Sequence, residues 1–437
     1  MNALTGIGVL MASSSGSPLF AVQTHNADVP ALLGGDPVHA DGWPKWPVWN
    51  TSTDEKRILE PLRSGNRSKG KMASEFEQKW AQMMGAKKCL SVVNGTSALI
   101  AALSQSDIGG GDEVIVPPYT FIATVNAVLM TGAMPVFADI DPETFQINPK
   151  NIEKKITPRT RAIMPVHVLG LPADMPAIMA IAQKHNLIVI EDACQAWLAE
   201  INHKKAGTFG NAGCFSFQNS KHLSMGEGGA IVSDDDELMD RCNSFHRYGN
   251  ATGSAPASVG SNMKLTDYQA AVGLAMLARL EEETAQRIEN AIYLKSKIEK
   301  IPGIVPYRLY DHVTRAIFHL FPFRYQKDKF QGLSRDIFLK ALSMEGIPCD
   351  SGYEPLNKKP FLENAFQTKN FRKMYPKEFL DIHTYNQQNE CPENDRICNE
   401  EAVWLPQNLL LAGKSDMDDI VKAIEKIRKN ADKLKKV

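Results

Sequence analysis

Between residue 88 and about residue 235 the chain alternates two kinds of hydrophobic segment. Short continuous apolar runs stand at CLSVV (89–93), EVIVP (113–117), MPVFAD (134–139), RAIMPV (161–166), LIVIED (187–192), AGCFSF (212–217) and GAIVSD (229–234). Helical stretches lie between most of them, among them Ser97–Leu103, Ala123–Met130 and Met175–Lys184. Runs without polar alternation are strands buried on both faces, and helices between them are crossovers. The pattern predicts an α/β fold with a mostly parallel sheet covered by helices. Ligands of such sheets bind beyond the carboxyl ends of the strands. Downstream, Asp267 to about Lys300 reads as one long helix that ends before Pro302-Gly303. Residues 31–300 are therefore expected to form an arm and a large domain. Residues 301–437, with mixed short elements, are expected to form a smaller C-terminal α+β domain.

The front of the chain departs from this pattern. Residues 1–30 are set apart as an arm, because 4–21 read LTGIGVLMASSSGSPLFA, an apolar stretch followed by small residues. Two readings stand open: a disordered arm of a cytoplasmic protein, or an export signal without its basic start, since the first Lys or Arg is Lys45. GWPKWPVWN (42–50) packs three Trp and two Pro into nine residues, which predicts an extended segment pinned by its rings. Thr53 is the expected N-cap of the helix that follows.

Composition narrows the function classes. The 437 residues carry 49 basic and 50 acidic side chains, a formal net charge of −1, so no basic surplus points to nucleic acid. No apolar run reaches the ~18 residues of a membrane span. Seven cysteines without C-x-x-C spacing predict reduced thiols, with neither a disulfide framework nor a metal site.

Four clusters follow strand ends. Asn94-Gly95-Thr96-Ser97 opens a helix, where free N–H groups and hydroxyls suit a phosphate. Phe121 follows EVIVP and can cover a flat ligand. Glu191 and Asp192 close an apolar strand, where a buried carboxylate needs a cation such as a protonated ring nitrogen. Gln195 can bond a ring substituent. Lys221 sits in a polar, Gly-flanked loop between two strands, with Ser216 and Ser220 nearby in sequence. Each cluster alone has an ordinary reading: a cap, core packing, a helix start or a metal ligand, a surface lysine. Together they describe a ligand with a phosphate, a flat ring, a basic ring nitrogen and an aldehyde. Pyridoxal 5′-phosphate has all four, and lysine amines form Schiff bases with it.

The motifs NGTSAL, VPPYTFIATVNAV, DIDPETFQI, EDACQAW, FSFQNSKHLSMGEGGAI and GSNMKLTDYQAAVGL, in this order, resemble the DegT/DnrJ/EryC1/StrS sugar aminotransferases over residues 35–430. The resemblance implies the type I fold of pyridoxal-phosphate enzymes. It implies Lys221 as the Schiff-base lysine, Asp192 against the pyridine nitrogen, and Gln195 near the phenolic oxygen. Gly95, Thr96, Ser97 and Ser216 fall at the phosphate and Phe121 over the ring. Asn262 is implied to reach the phosphate of a neighbouring subunit, hence a homodimer with shared active sites. The Trp-rich opening and residues 394–413 look like cyclitol (inosose) aminotransferases and aminohydroxybenzoate synthases. The implied reaction moves an amino group from glutamate or glutamine to a keto-sugar or keto-cyclitol.

Two positions depart from the family pattern. Trp197 and Asn357 stand where the family usually has His, and Trp197, with Tyr353 and Asn357, is expected on the substrate side. An indole in place of an imidazole removes a titratable group and narrows a pocket. Two other readings remain: dehydration and aromatisation of an amino-ring compound on the same scaffold, or a cofactor-binding regulator without turnover.

Overall fold

The computed structural model describes residues 26–250 and 255–437. The signal-like stretch 4–21 lies outside the described residues. Seven strands occur at the apolar runs: β1 Lys88–Val92, β2 Glu113–Val116, β3 Met134–Phe137, β4 Thr160–Ile163, β5 Ile188–Asp192, β6 Ala212–Ser216 and β7 Gly229–Ser233. They form one sheet in the order β1-β7-β6-β5-β4-β2-β3. Neighbours from β3 across to β6 are parallel. β7 runs antiparallel to β1 and β6. It follows β6 through the irregular loop 217–228, a direct return that reverses strand direction, whereas parallel neighbours need a crossover.

Helices fill the connections: α1 Asp54–Ser64, α2 Lys71–Met84, α3 Gly95–Gln105, α4 Ile122–Thr131, α5 Met175–His185 and α6 Asp236–Phe245. α3 starts where Asn94 Oδ1 accepts from the Ser97 N–H at 2.8 Å, and it buries Ala98, Leu99, Ala101, Ala102 and Leu103 against the sheet. Thr53 does not cap α1 as expected. Its backbone is already helical (φ −106°, ψ −40°) rather than extended as a capping residue's usually is, and its hydroxyl donates to Asp54 Oδ1 at 2.9 Å.

The long helix expected from Asp267 is two: α7 Asp267–Leu277 and α8 Leu280–Ile298. α7 is apolar on nearly every side and is buried along most of its length. The break frees Arg279 to reach Asp54 Oδ1 at 2.9 Å and the Val48 carbonyl at 2.7 Å, tying helix and arm together.

Beyond α8, strands β8 Ile304–Pro306, β9 Leu320–Tyr325 and β10 Ala402–Pro406 form a small antiparallel sheet. The last long helix, α9 Lys414–Lys429, adds Ile420, Ile424 and Ile427 to its core. Residues between β9 and β10 divide their packing. Leu362, Phe366, Phe371, Tyr375 and Tyr385 join Val114, Val128 and Phe137 in the core of the large sheet. Tyr375 Oη and Tyr385 Oη donate to the carbonyls of Gly132 (2.9 Å) and Pro135 (2.6 Å) there.

Two of the three clustered Trp pin the arm. Trp43 donates to the Gly346 carbonyl at 2.7 Å and stacks on His39. Trp46 donates to the Lys221 carbonyl at 3.0 Å and lies under the Arg287 guanidinium. Trp49 is exposed. Asp28, at the start of the described chain, accepts from Asn430 at 3.0 Å through its carbonyl. All seven cysteines are free thiols.

Candidate active site

Neighbouring residues of a strand point to opposite faces, so Glu191 and Asp192 part company at the end of β5. Glu191 is wholly buried and saturated. It accepts from the N–H groups of Gly207, Phe209 and Gly210 at 2.6–2.8 Å and pairs with His167 Nε2 at 3.0 Å. Asp192 lines a cavity of about 680 Å³ beyond the strand ends. Its Oδ2 accepts from Thr124 Oγ1 at 2.7 Å, and its Oδ1 accepts from the Cys194 N–H at 3.2 Å. Thr124 is held in turn by Thr120 at 2.8 Å.

Gly95, Thr96, Phe121, Asp192, Gln195, Ser216, Lys221 and Tyr353 all line this one cavity. The first N–H groups of α3 have no acceptor within the helix, and those of Gly95 and Thr96 stand at its wall. Gly95 is required for packing, because a Cβ there would meet Ser216 Cβ at 2.7 Å and Cys194 Sγ at 2.8 Å. Phe121 is 56% exposed, so its ring serves the cavity rather than the core. Gln195 Oε1 accepts from the Leu169 N–H at 2.7 Å, which turns its Nε2 to donate to Tyr353 Oη at 2.8 Å. Burial raises the Tyr353 phenol above its ordinary range, so it stays protonated at neutral pH.

Lys221 comes from the loop between β6 and β7 and is half-buried. Its ammonium is desolvated, which lowers its pKa below the ordinary lysine value, with Cys194 and Asp192 acting in the opposite direction. Nζ lies 3.3 Å from His319 Nε2 and 5.8 Å from the centre of the Trp197 ring.

Three expected site residues, Ser97, Trp197 and Asn357, lie off the cavity wall. Ser97 is absent from the cavity wall, and its N–H is already given to Asn94 Oδ1. Trp197 was expected to narrow the substrate side. It is fully buried, donates to the Ser216 carbonyl at 3.0 Å, and packs against His222 and His319 behind Lys221. Asn357 is also buried and donates to the Asn389 carbonyl at 3.0 Å, a brace between loops away from the cavity wall. Asn262 is exposed on the bridge it forms with Arg247 and does not line its own chain's cavity.

The sequence reading missed Thr124, His319 and Trp404. Thr124 stood inside a quoted motif but had no visible partner. His319 heads strand β9 and Trp404 lies in β10, more than 80 residues beyond Lys221, so only the fold brings them to it.

Comparisons with known proteins identify the family. The model of the DegT/DnrJ/EryC1/StrS aminotransferase family matches residues 50–399. An L-glutamine:2-deoxy-scyllo-inosose aminotransferase of Micromonospora echinospora is 32% identical over 421 residues, covering 92% of this chain and 98% of the relative. A GDP-perosamine synthase of Caulobacter vibrioides is 39% identical over 298 residues, 67% of this chain and 79% of the relative. The crystal structure of 3-amino-5-hydroxybenzoic acid synthase superposes with a TM-score of 0.79 at 30% identity, covering 90% of this chain and all of that one.

Proposed function

The chain belongs to the DegT/DnrJ/EryC1/StrS aminotransferase family and is a pyridoxal-phosphate-dependent aminotransferase, and on that premise we propose that its cavity transfers the amino group of glutamine or glutamate to a keto-cyclitol or keto-sugar. One observation carries the assignment of residues: the carboxylate Asp192 and the desolvated amine Lys221 line the same cavity as the open end of α3.

The donor set fits the cofactor. The α3 N-terminus with Gly95, Thr96 and Ser216 suits a dianionic phosphate. Phe121 offers a ring face, Asp192 an anion for a protonated ring nitrogen, and Gln195 an amide beside Tyr353 for the phenolic oxygen. Bound, the cofactor supplies an aldehyde and a ring that takes up electrons from the substrate carbon.

The protein does the rest. Thr124 and the Cys194 N–H hold the Asp192 carboxylate in one orientation, keeping the ring proton in place. Desolvation gives Lys221 a larger fraction of neutral amine at a given pH, as a nucleophile needs. With the cofactor bound, Lys221 Nζ would be the group placed to hold and move a proton at the reacting carbons. Asn262 of a second copy completes the phosphate site in this reading. Its exposure, and the exposed Val48 and Trp49, support such an assembly.

The test is direct. Glutamine added to the cofactor-loaded protein converts its visible band to the pyridoxamine form and releases a 2-oxo acid. A keto-cyclitol then restores the band. The similarity to 3-amino-5-hydroxybenzoic acid synthase favours a second reading, dehydration and aromatisation of an amino-ring compound. A band that no amino donor converts decides against transfer.

A further inference from the structure

The strand that delivers His319 is built around a tight crossing. Leu169 and Gly170 have φ of +65° and +82°, and Phe318, just before His319, has φ of +55°. A Cβ on Gly170 would meet the His319 nitrogen at 2.6 Å and the Phe318 nitrogen at 2.8 Å. The Ile317 N–H donates to the Gly170 carbonyl at 3.0 Å. Positive φ on Leu and Phe is costly and persists only where surrounding contacts demand it. Here those contacts serve two cavity residues at once. The Leu169 N–H orients Gln195, and the crossing seats His319 against Lys221.

His319 is 6% exposed, and its Nδ1 has no partner among the described residues. Nε2 at 3.3 Å from Nζ is its one side-chain hydrogen bond, and the Trp197 ring packs edge-on 5.6 Å away. We propose that His319 is a positioning residue: as a neutral imidazole it accepts a hydrogen bond from the Lys221 ammonium through Nε2 and fixes where that amine waits when it is not bonded to the cofactor aldehyde. The inference rests on the assignment of Lys221 above.

The charged neighbours agree. Desolvation, then Lys221, then Arg287 hold the His319 imidazole well below its ordinary pKa. His222, beside it, is lowered likewise by burial, Arg287 and His319. Asp192 and Cys194 are the groups that favour the Lys221 ammonium, and Glu227 also lines the cavity.

The experiment uses His319→Phe and His319→Gln. The Gln side chain can return a hydrogen-bonding atom near Nε2; Phe cannot. Cofactor is removed, and the rate at which added pyridoxal phosphate regains its visible band is followed against pH. An acceptor for the ammonium raises the amine's pKa, so its loss lowers it. The His319→Phe profile is expected to shift about one unit to lower pH. kcat with saturating donor is expected to fall about 10- to 100-fold with donor KM changed less than threefold. His319→Gln should recover most of both. Borohydride trapping and peptide mapping of the same samples must place the label on Lys221. A label elsewhere defeats the Lys221 assignment itself. A label on Lys221 with His319→Phe profiles that overlay the native ones, or with His319→Gln as impaired as His319→Phe, overturns the His319 inference alone.

Discussion

Lys426 and Lys221 are both drawn away from water, and their surroundings differ in kind. Lys426, on α9, is 7% exposed and lies 3.0 Å from Glu345 Oε2, while the Asp36 carbonyl accepts from it at 2.6 Å. Glu345 also accepts from the Ala31 and Val38 N–H groups at 2.8 and 3.0 Å, so arm, β9–β10 region and α9 meet at one saturated ion pair. Lys221 has no carboxylate at bonding distance among the described residues. It has one imidazole, one indole face and an open cavity. Burying a paired charge leaves it charged and fixed, whereas burying one with only neutral partners makes the neutral form accessible. The saturated lysine is a clamp, and the unsaturated one is a reagent. Glu191 and Asp192 repeat the contrast one residue apart on β5.

Substitutions sharpen this contrast in order of effect. Lys221→Ala is expected to lower transamination by about 10⁴-fold or more, since both the bonding amine and the proton carrier are lost. Thermal denaturation should find its Tm no lower than the native one, because no buried pair is broken. Lys426→Met should do the reverse: stability falls by about 3–5 kcal/mol in urea titration, because Glu345 is left buried and uncompensated. Its kcat per folded molecule should be unchanged. A Lys426 variant that loses activity without losing stability would break the comparison. Asp192→Asn should keep the cofactor but lose about 100-fold in kcat, as its ring nitrogen is no longer held protonated. Thr124→Val should cost about tenfold, the worth of one hydrogen bond to a carboxylate, with cofactor affinity measured by equilibrium dialysis nearly unchanged. For pH, the sign follows from the lowered pKa of Lys221: more neutral amine is present at a given pH than on a free lysine. Cofactor bonding to the apoprotein should therefore reach half its maximal rate below pH ~10.4, the ordinary lysine value.

Much of the frame was legible along the chain. The seven apolar runs became the seven strands with their ends displaced by at most three residues, and Asp192 and Ser216 close two of them. Asp192 and Ser216 each close a strand, where alternation assigns a face, whereas Gln195 and Lys221 lie in irregular backbone and were marked by their chemistry and by the family motifs. Trp197 and Asn357 show where that reasoning fails. Both follow elements by several residues of irregular backbone, and periodicity says nothing about direction there. The division of the expected long helix at Ala278-Arg279 also had no local mark; the ion pair that Arg279 makes at the break is with Asp54, more than 200 residues upstream.

The amino-acid sequence by itself determined the sheet, the strand ends and the residue types waiting at them, because apolar continuity and backbone alternation are local properties of a chain. Only the tertiary structure decided that His319 meets Lys221, and that Trp197 lies behind rather than across from it. Such contacts join residues separated by tens to hundreds of positions, and their geometry follows from packing of the whole core, which no short window of sequence contains.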